Sequence, residues 1–119
     1  MNFFKNIFNK PKKKQPEDYF ETTITEKFVR VEHPEREAEQ IFWEDVNEIK
    51  FINTDQGPFA PDIWLALIGE NSGCLIPHGS TGCEKVYDIV SKFENFNFEN
   101  VIRSMSSCAN EEFVVWKRT

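Results

Sequence analysis

The sequence has few cysteines, no long apolar run and no overall excess of basic residues. Its 3 Cys among 119 residues are too few for a disulfide framework, and this usage favours a reducing compartment. The longest apolar run, residues 63–68, is far shorter than the ~20 residues that span a bilayer, and no apolar signal segment follows Met1. We therefore expect a cytoplasmic protein without a transmembrane helix.

The formal net charge of −6 combines two segments of opposite sign. Five of the 14 basic residues lie in residues 1–14, which contain no acid. The other nine stand against all 20 acidic residues, so the rest of the chain carries a charge of −11. An acidic body repels phosphate backbones and attracts basic proteins. The charge therefore excludes nucleic acid as a partner and favours a basic protein partner.

The N-terminal residues have the pattern of a short amphipathic helix that is followed by a lysine-rich linker with prolines at both ends. The pattern divides the chain into a basic arm and linker, residues 1–16, and a single domain, residues 17–119. Residues 1–14 could form a loosely packed terminus, a partner-docking helix or a weak anchor on an anionic membrane surface. The apolar residues of the arm are Phe3, Phe4, Ile7 and Phe8.

Apolar residues recur with a period of two from Tyr19 to Pro77 and again in residues 112–117, which predicts strands separated by turns. Between these segments, two stretches have helical spacing, and Thr81 and Asn97 are candidate caps for them. The pattern predicts an α+β fold: an antiparallel sheet of about six strands with two consecutive helices near the C-terminal end, in the order βββββ-αα-β.

The first predicted helix has apolar residues at positions that share one face: Val86, Ile89, Val90 and Phe93. This spacing predicts that Ile89 lies at the centre of the buried stripe, against the apolar strand 63–68. We therefore expect Ile89→Ala to cost about 2 to 5 kcal/mol of unfolding free energy.

Three motifs give the chain a resemblance to other proteins: Trp-x-x-Val-x-x-Ile from Trp43, Thr-Asp-x-Gly-Pro-Phe-x-x-Asp from Thr54, and Ile-Pro-x-Gly from Ile76. With them, most of the chain after residue 25 resembles a family of small uncharacterised bacterial cytosolic proteins, which implies no particular activity. The strands that lead to the Trp43 corner also resemble the first half of pleckstrin-homology-like domains. In size and acidity the chain is similar to immunity proteins of bacterial toxin systems.

Cys74, His78 and Cys83 are the candidate residues for chemistry. A thiolate at Cys83 would lie in the first turn of a helix, where the helix dipole lowers a thiol pKa, and His78 could serve as its base. This arrangement suggests a cysteine- and histidine-dependent enzyme as an alternative function. Close Cys-x-x-Cys pairs and glycine-rich phosphate loops are both missing from the sequence, so we expect no metal and no cofactor.

The most distinctive surface feature is a run of acidic residues between Glu32 and Glu48. We predict that Glu35, Glu37 and Glu39 in this run bind a basic protein, as in an immunity or adaptor role. Phe59, held between two prolines in the loop 54–62, is a candidate anchor because its ordering costs little entropy. The pattern does not indicate an oligomeric state.

Overall fold

The computed structural model describes residues 16–55 and 62–119. Within these ranges the chain forms seven strands, two α-helices and two short 3-10 turns. The strands are β1 (Glu21–Ile24), β2 (Phe28–His33), β3 (Arg36–Phe42), β4 (Glu48–Asn53), β5 (Ile63–Ile68), β6 (Gly73–Pro77) and β7 (Glu111–Lys117). The helices are α1 (Thr81–Val90) and α2 (Phe98–Ser106), and the 3-10 turns are Pro16–Tyr19 and Trp43–Asp45.

The α+β class and the antiparallel pairing are confirmed, but the prediction of a single sheet is wrong. The strands form a three-stranded sheet in the order β1-β2-β3 and a four-stranded sheet in the order β6-β5-β4-β7. Six strands precede the helices in place of five. The sheets separate because the chain turns at Trp43–Asp45, so that β4 pairs with β5 and β7 and not with β3.

The corner between the sheets is held by hydrogen bonds to backbone carbonyl groups. Trp43 Nε1 donates to the carbonyl oxygen of Thr25 at 3.0 Å. The Arg118 guanidinium donates to the carbonyl oxygen of Val46, with Nη2 at 2.7 Å and Nε at 2.9 Å. Val46 itself is fully buried. These contacts fix the direction in which β4 leaves the corner and so position one sheet against the other.

The core lies between the two sheets and is closed by α1. Cys83, Val86 and Val90 are the buried residues of α1. The prediction that Ile89 is central in this stripe is wrong, because its side chain is 38% exposed. At ~100° per residue, Ile89 lies about 60° around the helix from Val86, at the edge of the buried face. We therefore expect the large loss of unfolding free energy on truncation at Val86 or Val90 and not at Ile89.

The outer edge of β6 is closed to further strands. The backbone N–H of Leu75 donates to Glu39 Oε1 on β3 at 2.9 Å. Pro77 has no N–H to offer. Blocked donors of this kind prevent edge-to-edge pairing with other chains.

The outer edge of β7 is covered by the start of α2. Asn97 caps this helix, as the sequence predicts, by accepting the N–H of Asn100 at 3.0 Å. The Asn97 N–H then donates to the carbonyl oxygen of Val115, and Asn100 Nδ2 donates to that of Val114, both at 2.7 Å. No helix in the described part of the chain is long and apolar enough to cross a membrane.

Candidate functional site

A groove runs along the edge strand β1, between this strand and the start of α1. Its volume is about 430 Å³. The strand side is formed by residues 20–23 and by the preceding 3-10 turn, and the helix side by residues 80–82 and Lys85. Among the described residues, its lining contains the carboxylates of Glu17, Asp18 and Glu21 and the ammonium group of Lys85. We call this the β1 groove.

The backbone of β1 presents hydrogen-bonding groups toward this groove side. At the hairpin turn the Thr25 N–H donates to the carbonyl oxygen of Phe28 at 2.9 Å, so Thr25 and Phe28 form a hydrogen-bonded pair. Because such pairs alternate along an antiparallel ladder, Thr23 also faces β2, while Thr22 and Ile24 direct their N–H and C=O groups outward. No described residue hydrogen-bonds these outward groups.

The start of α1 lies very close to β1, and the sequence permits this approach at a glycine. A side chain at Gly82 would collide with the hydroxyl and methyl groups of Thr22. The helix is capped one residue earlier than predicted: Ser80, and not Thr81, accepts the N–H of Cys83 at 3.1 Å. The missing side chain at position 82 and the cap together set the width of the β1 groove.

On the outer face of the same sheet, two glutamates occupy directly opposed positions. Glu21 on β1 is paired in register with Glu32 on β2, and both are exposed. With Tyr19, His33 and Pro34 they line a second, smaller groove of about 280 Å³. Like charges at opposed cross-strand positions destabilise a sheet. This pair is therefore a feature that folding alone disfavours.

The hairpin tip between β2 and β3 lies next to these two glutamates. His33 packs against Phe20 with ring centroids 4.5 Å apart, and its Nδ1 accepts the N–H of Glu35 at 3.0 Å. The Arg36 guanidinium lies 5.3 Å from the ring centroids of both Phe20 and Trp64, which holds the tip against the second sheet.

The three acidic residues predicted to bind a partner differ in their exposure and in their contacts. Glu35 and Glu37 are exposed at the tip and on β3. Glu39 is half-buried, and its carboxylate accepts the Leu75 N–H. Its negative charge is therefore engaged within the molecule, and the prediction that these residues bind a partner rests on Glu35 and Glu37.

The sequence pattern did not identify Glu21 and Thr22 as site residues, because both lie outside the acidic run at residues 32–48. The Glu21–Glu32 pairing depends on strand register, which is not evident from the sequence. We define the acidic surface as the five carboxylates around β1 and the hairpin tip: Glu17, Asp18, Glu21, Glu32 and Glu35.

Two predicted features lie outside the described residues. Phe59 belongs to residues 56–61, and the basic arm belongs to residues 1–15. The anchoring role of Phe59 and the membrane contact through residues 1–14 stay predictions.

The cysteines do not have the properties of a nucleophile pair. Burial raises the pKa of the Cys74 thiol from 9.0 to about 12, and the Glu39 carboxylate adds to the rise. Burial likewise raises the pKa of Cys83 to about 12, with a smaller contribution from Glu84. Burial thus outweighs the helix dipole, and both thiols are protonated at neutral pH. No group of three metal-ligating side chains occurs in residues 16–55 and 62–119.

These pKa values predict the reactivity of the thiols in the folded chain. At about pH 8 we expect a disulfide reagent to titrate Cys108, which is exposed, and to leave Cys74 and Cys83 unmodified. In concentrated guanidinium chloride all 3 Cys should react. Rapid modification of the folded Cys108→Ser variant would show that Cys74 or Cys83 is reactive and would contradict this prediction.

The raised pKa values of Cys74 and Cys83 make the unfolding free energy depend on pH. Because the folded thiols hold their protons more tightly than the unfolded ones, their contribution to stability is complete below about pH 9 and is lost as the pH rises toward 12.

Two apolar surfaces lie elsewhere on the described chain. Trp43, Phe93 and Trp116 line a groove of about 420 Å³, in which Phe93 and Trp116 pack with centroids 5.2 Å apart. Both indole N–H groups in it are bonded to backbone carbonyls. On α2, Ile102 is 65% exposed, with Phe98 and Met105 exposed beside it.

No family model matches this chain, and comparison with curated proteins and with solved structures finds no significant similarity. The resemblances to a bacterial cytosolic family and to pleckstrin-homology-like domains therefore stay predictions. The contacts of the acidic surface are the grounds on which a function can be assigned.

Proposed function

We propose that the protein is a non-enzymatic binding module whose acidic surface recruits a basic partner protein. In its concrete form this is an immunity or adaptor role in the cytoplasm. The observation that carries the proposal is the opposed pair of Glu21 and Glu32, beside two grooves. A like-charge pair that weakens the sheet is consistent with a partner cation that relieves the repulsion on binding.

In the described part of the chain, Arg30, Arg36 and Lys85 lie near this surface. Arg30 Nε lies 3.7 Å from Glu32 Oε1 and neutralises part of its charge. Lys85 lines the β1 groove on the helix side, and Arg36 is stacked between aromatic rings at the tip. Among the described residues, no ion pair engages Glu17, Glu21 or Glu35, so their charges can steer a lysine- or arginine-rich segment at moderate salt.

Charge-reversal variants distinguish binding at this surface from a general effect of the net charge of the chain. The probe is a fluorescent blocked peptide of alternating lysine and threonine, six residues long, titrated into the full chain and followed by fluorescence anisotropy. We expect the double variant Glu21→Lys, Glu32→Lys to bind about tenfold more weakly, because two contacts with cations become repulsions. The matched control, Glu70→Lys with Glu94→Lys, changes the net charge equally at two exposed positions and should lose less than about threefold. Equal losses in the two variants would refute a localised site.

Substitution at the same positions, which should weaken peptide binding, is not expected to lower stability. Glu21→Lys alone places a lysine opposite Glu32 and should raise the unfolding free energy by about 0.2 to 1 kcal/mol. The double variant keeps a like-charge pair and should leave stability nearly unchanged. Urea melts of the three proteins measure this. A Glu21→Lys protein that is less stable than the wild type would show that the pair is not repulsive.

A further inference from the structure

We propose that the partner's basic segment binds in an extended conformation and adds to β1 as a fourth strand of the three-stranded sheet. This inference rests on the proposed function and names its mode of binding. The β1 groove follows Phe20 and the first three residues of the edge strand, 21–23, with the start of α1 as its opposite wall. A groove between an edge strand and a helix is the geometry in which extended peptides add to sheets.

The backbone supplies the affinity in this mode. Thr22 and Ile24 present two N–H and two C=O groups toward the open edge, and an added strand would hydrogen-bond them in the spacing of an antiparallel or parallel ladder. The edges of β6 and β7 do not offer such groups freely, because Glu39, Pro77 and the start of α2 block them. On β3, the outer edge lies beside β6.

The side chains supply the preference for charge. Glu17 lies at one end of the β1 groove and Glu21 lies beside its strand wall, so lysine or arginine side chains of an added strand meet carboxylates on the strand side of the groove. Glu17 lies beside Gly79, whose positive φ of 96° shapes the turn before α1. A strand of six residues, about 20 Å long, covers β1 completely.

The experiment compares three blocked peptides on the full chain by fluorescence anisotropy. They are the alternating lysine and threonine peptide, the same peptide N-methylated at every backbone amide, and a peptide of alternating glutamate and threonine. We expect the methylated peptide to bind at least about tenfold more weakly, because it keeps its charges but cannot donate hydrogen bonds to β1. The acidic peptide should not bind.

The outcomes separate the two proposals. If the methylated peptide binds within about twofold of the parent, strand addition is wrong and charge-based recruitment stands. If the parent peptide does not bind, the proposed function fails as well. The other possible occupant of the β1 edge is the chain's own basic linker. A full-length variant tests this possibility, in which Lys10, Lys12, Lys13 and Lys14 are all changed to Ser. Tighter peptide binding by this variant would overturn a partner segment in favour of the chain's own linker, and unchanged binding supports the partner.

Discussion

Replacing Phe51 by Ala will lower the unfolding free energy by about 3 to 5 kcal/mol. Phe51 is 1% exposed and is among the largest fully buried side chains of the chain. It lies in β4, in register with Leu65 on β5 and Phe113 on β7, and its ring faces Tyr87 of α1 at 6.3 Å. Truncation leaves a cavity where a sheet and a helix meet, so the loss includes both transfer and cavity contributions.

The matched control is the same substitution at an exposed phenylalanine. Phe42 is 41% exposed and contacts Phe28 edge-to-face at 5.9 Å on the outer face of the three-stranded sheet. Phe42→Ala should cost no more than about 1.5 kcal/mol, the size of an aromatic pair. Urea melts with equal slopes measure both losses. Similar midpoints for the two variants would mean that the core is not centred on β4.

The second large effect is expected at the contact between β4 and α2. Ser104 Oγ donates to Asn53 Oδ1 at 2.6 Å, and Asn53 Nδ2 donates to the carbonyl oxygen of Ser104 at 2.8 Å. Both residues are buried. Asn53→Ala leaves the buried Ser104 hydroxyl without its partner, at roughly 1 to 3 kcal/mol, and removes one hydrogen bond of about 0.5 to 1.5 kcal/mol from the Ser104 carbonyl, which keeps the Ser107 N–H. We therefore expect a loss of about 2 to 4 kcal/mol.

A double-mutant cycle tests whether the two side chains act together. Ser104→Ala added to Asn53→Ala should cost less than its single effect, with a coupling of about 0.5 to 3 kcal/mol. The control Ser106→Ala removes an exposed hydroxyl on the same helix and should change stability by less than about 0.5 kcal/mol. Strict additivity of Asn53 and Ser104 would show that the buried contact does not join α2 to the sheet.

The sequence allowed much of the local structure to be predicted, because periodicity and caps are local. The continuous apolar run 63–68, bounded by turn residues, indicated a buried strand, and Asn97 was identified as the cap of α2. The division into two sheets could not be predicted, because it depends on which distant strands pair. In β4 and β7 the partners Phe51 and Phe113 are separated by most of the second half of the chain.

The candidate site was predicted only in its charge. Acidic composition indicated a basic partner, but the residues of the acidic run are not equivalent in space. Glu39 is turned toward β6 and closes its edge, whereas Glu21, which lies outside the run, stands opposite Glu32. Register and sheet packing decide both outcomes, and neither follows from spacing along the chain.

Amide hydrogen exchange at β1, measured by NMR on the full chain with and without saturating lysine and threonine peptide, tests the binding mode most directly. The account predicts that exchange at Thr22 and Ile24 slows by at least about tenfold, because their outward N–H groups gain acceptors. Thr23, whose N–H faces β2, serves as the internal control and should change less than about twofold. Unchanged exchange at Thr22 and Ile24 while the peptide is bound, or protection confined to Phe98–Ser106, would contradict the assignment of β1 as the binding edge.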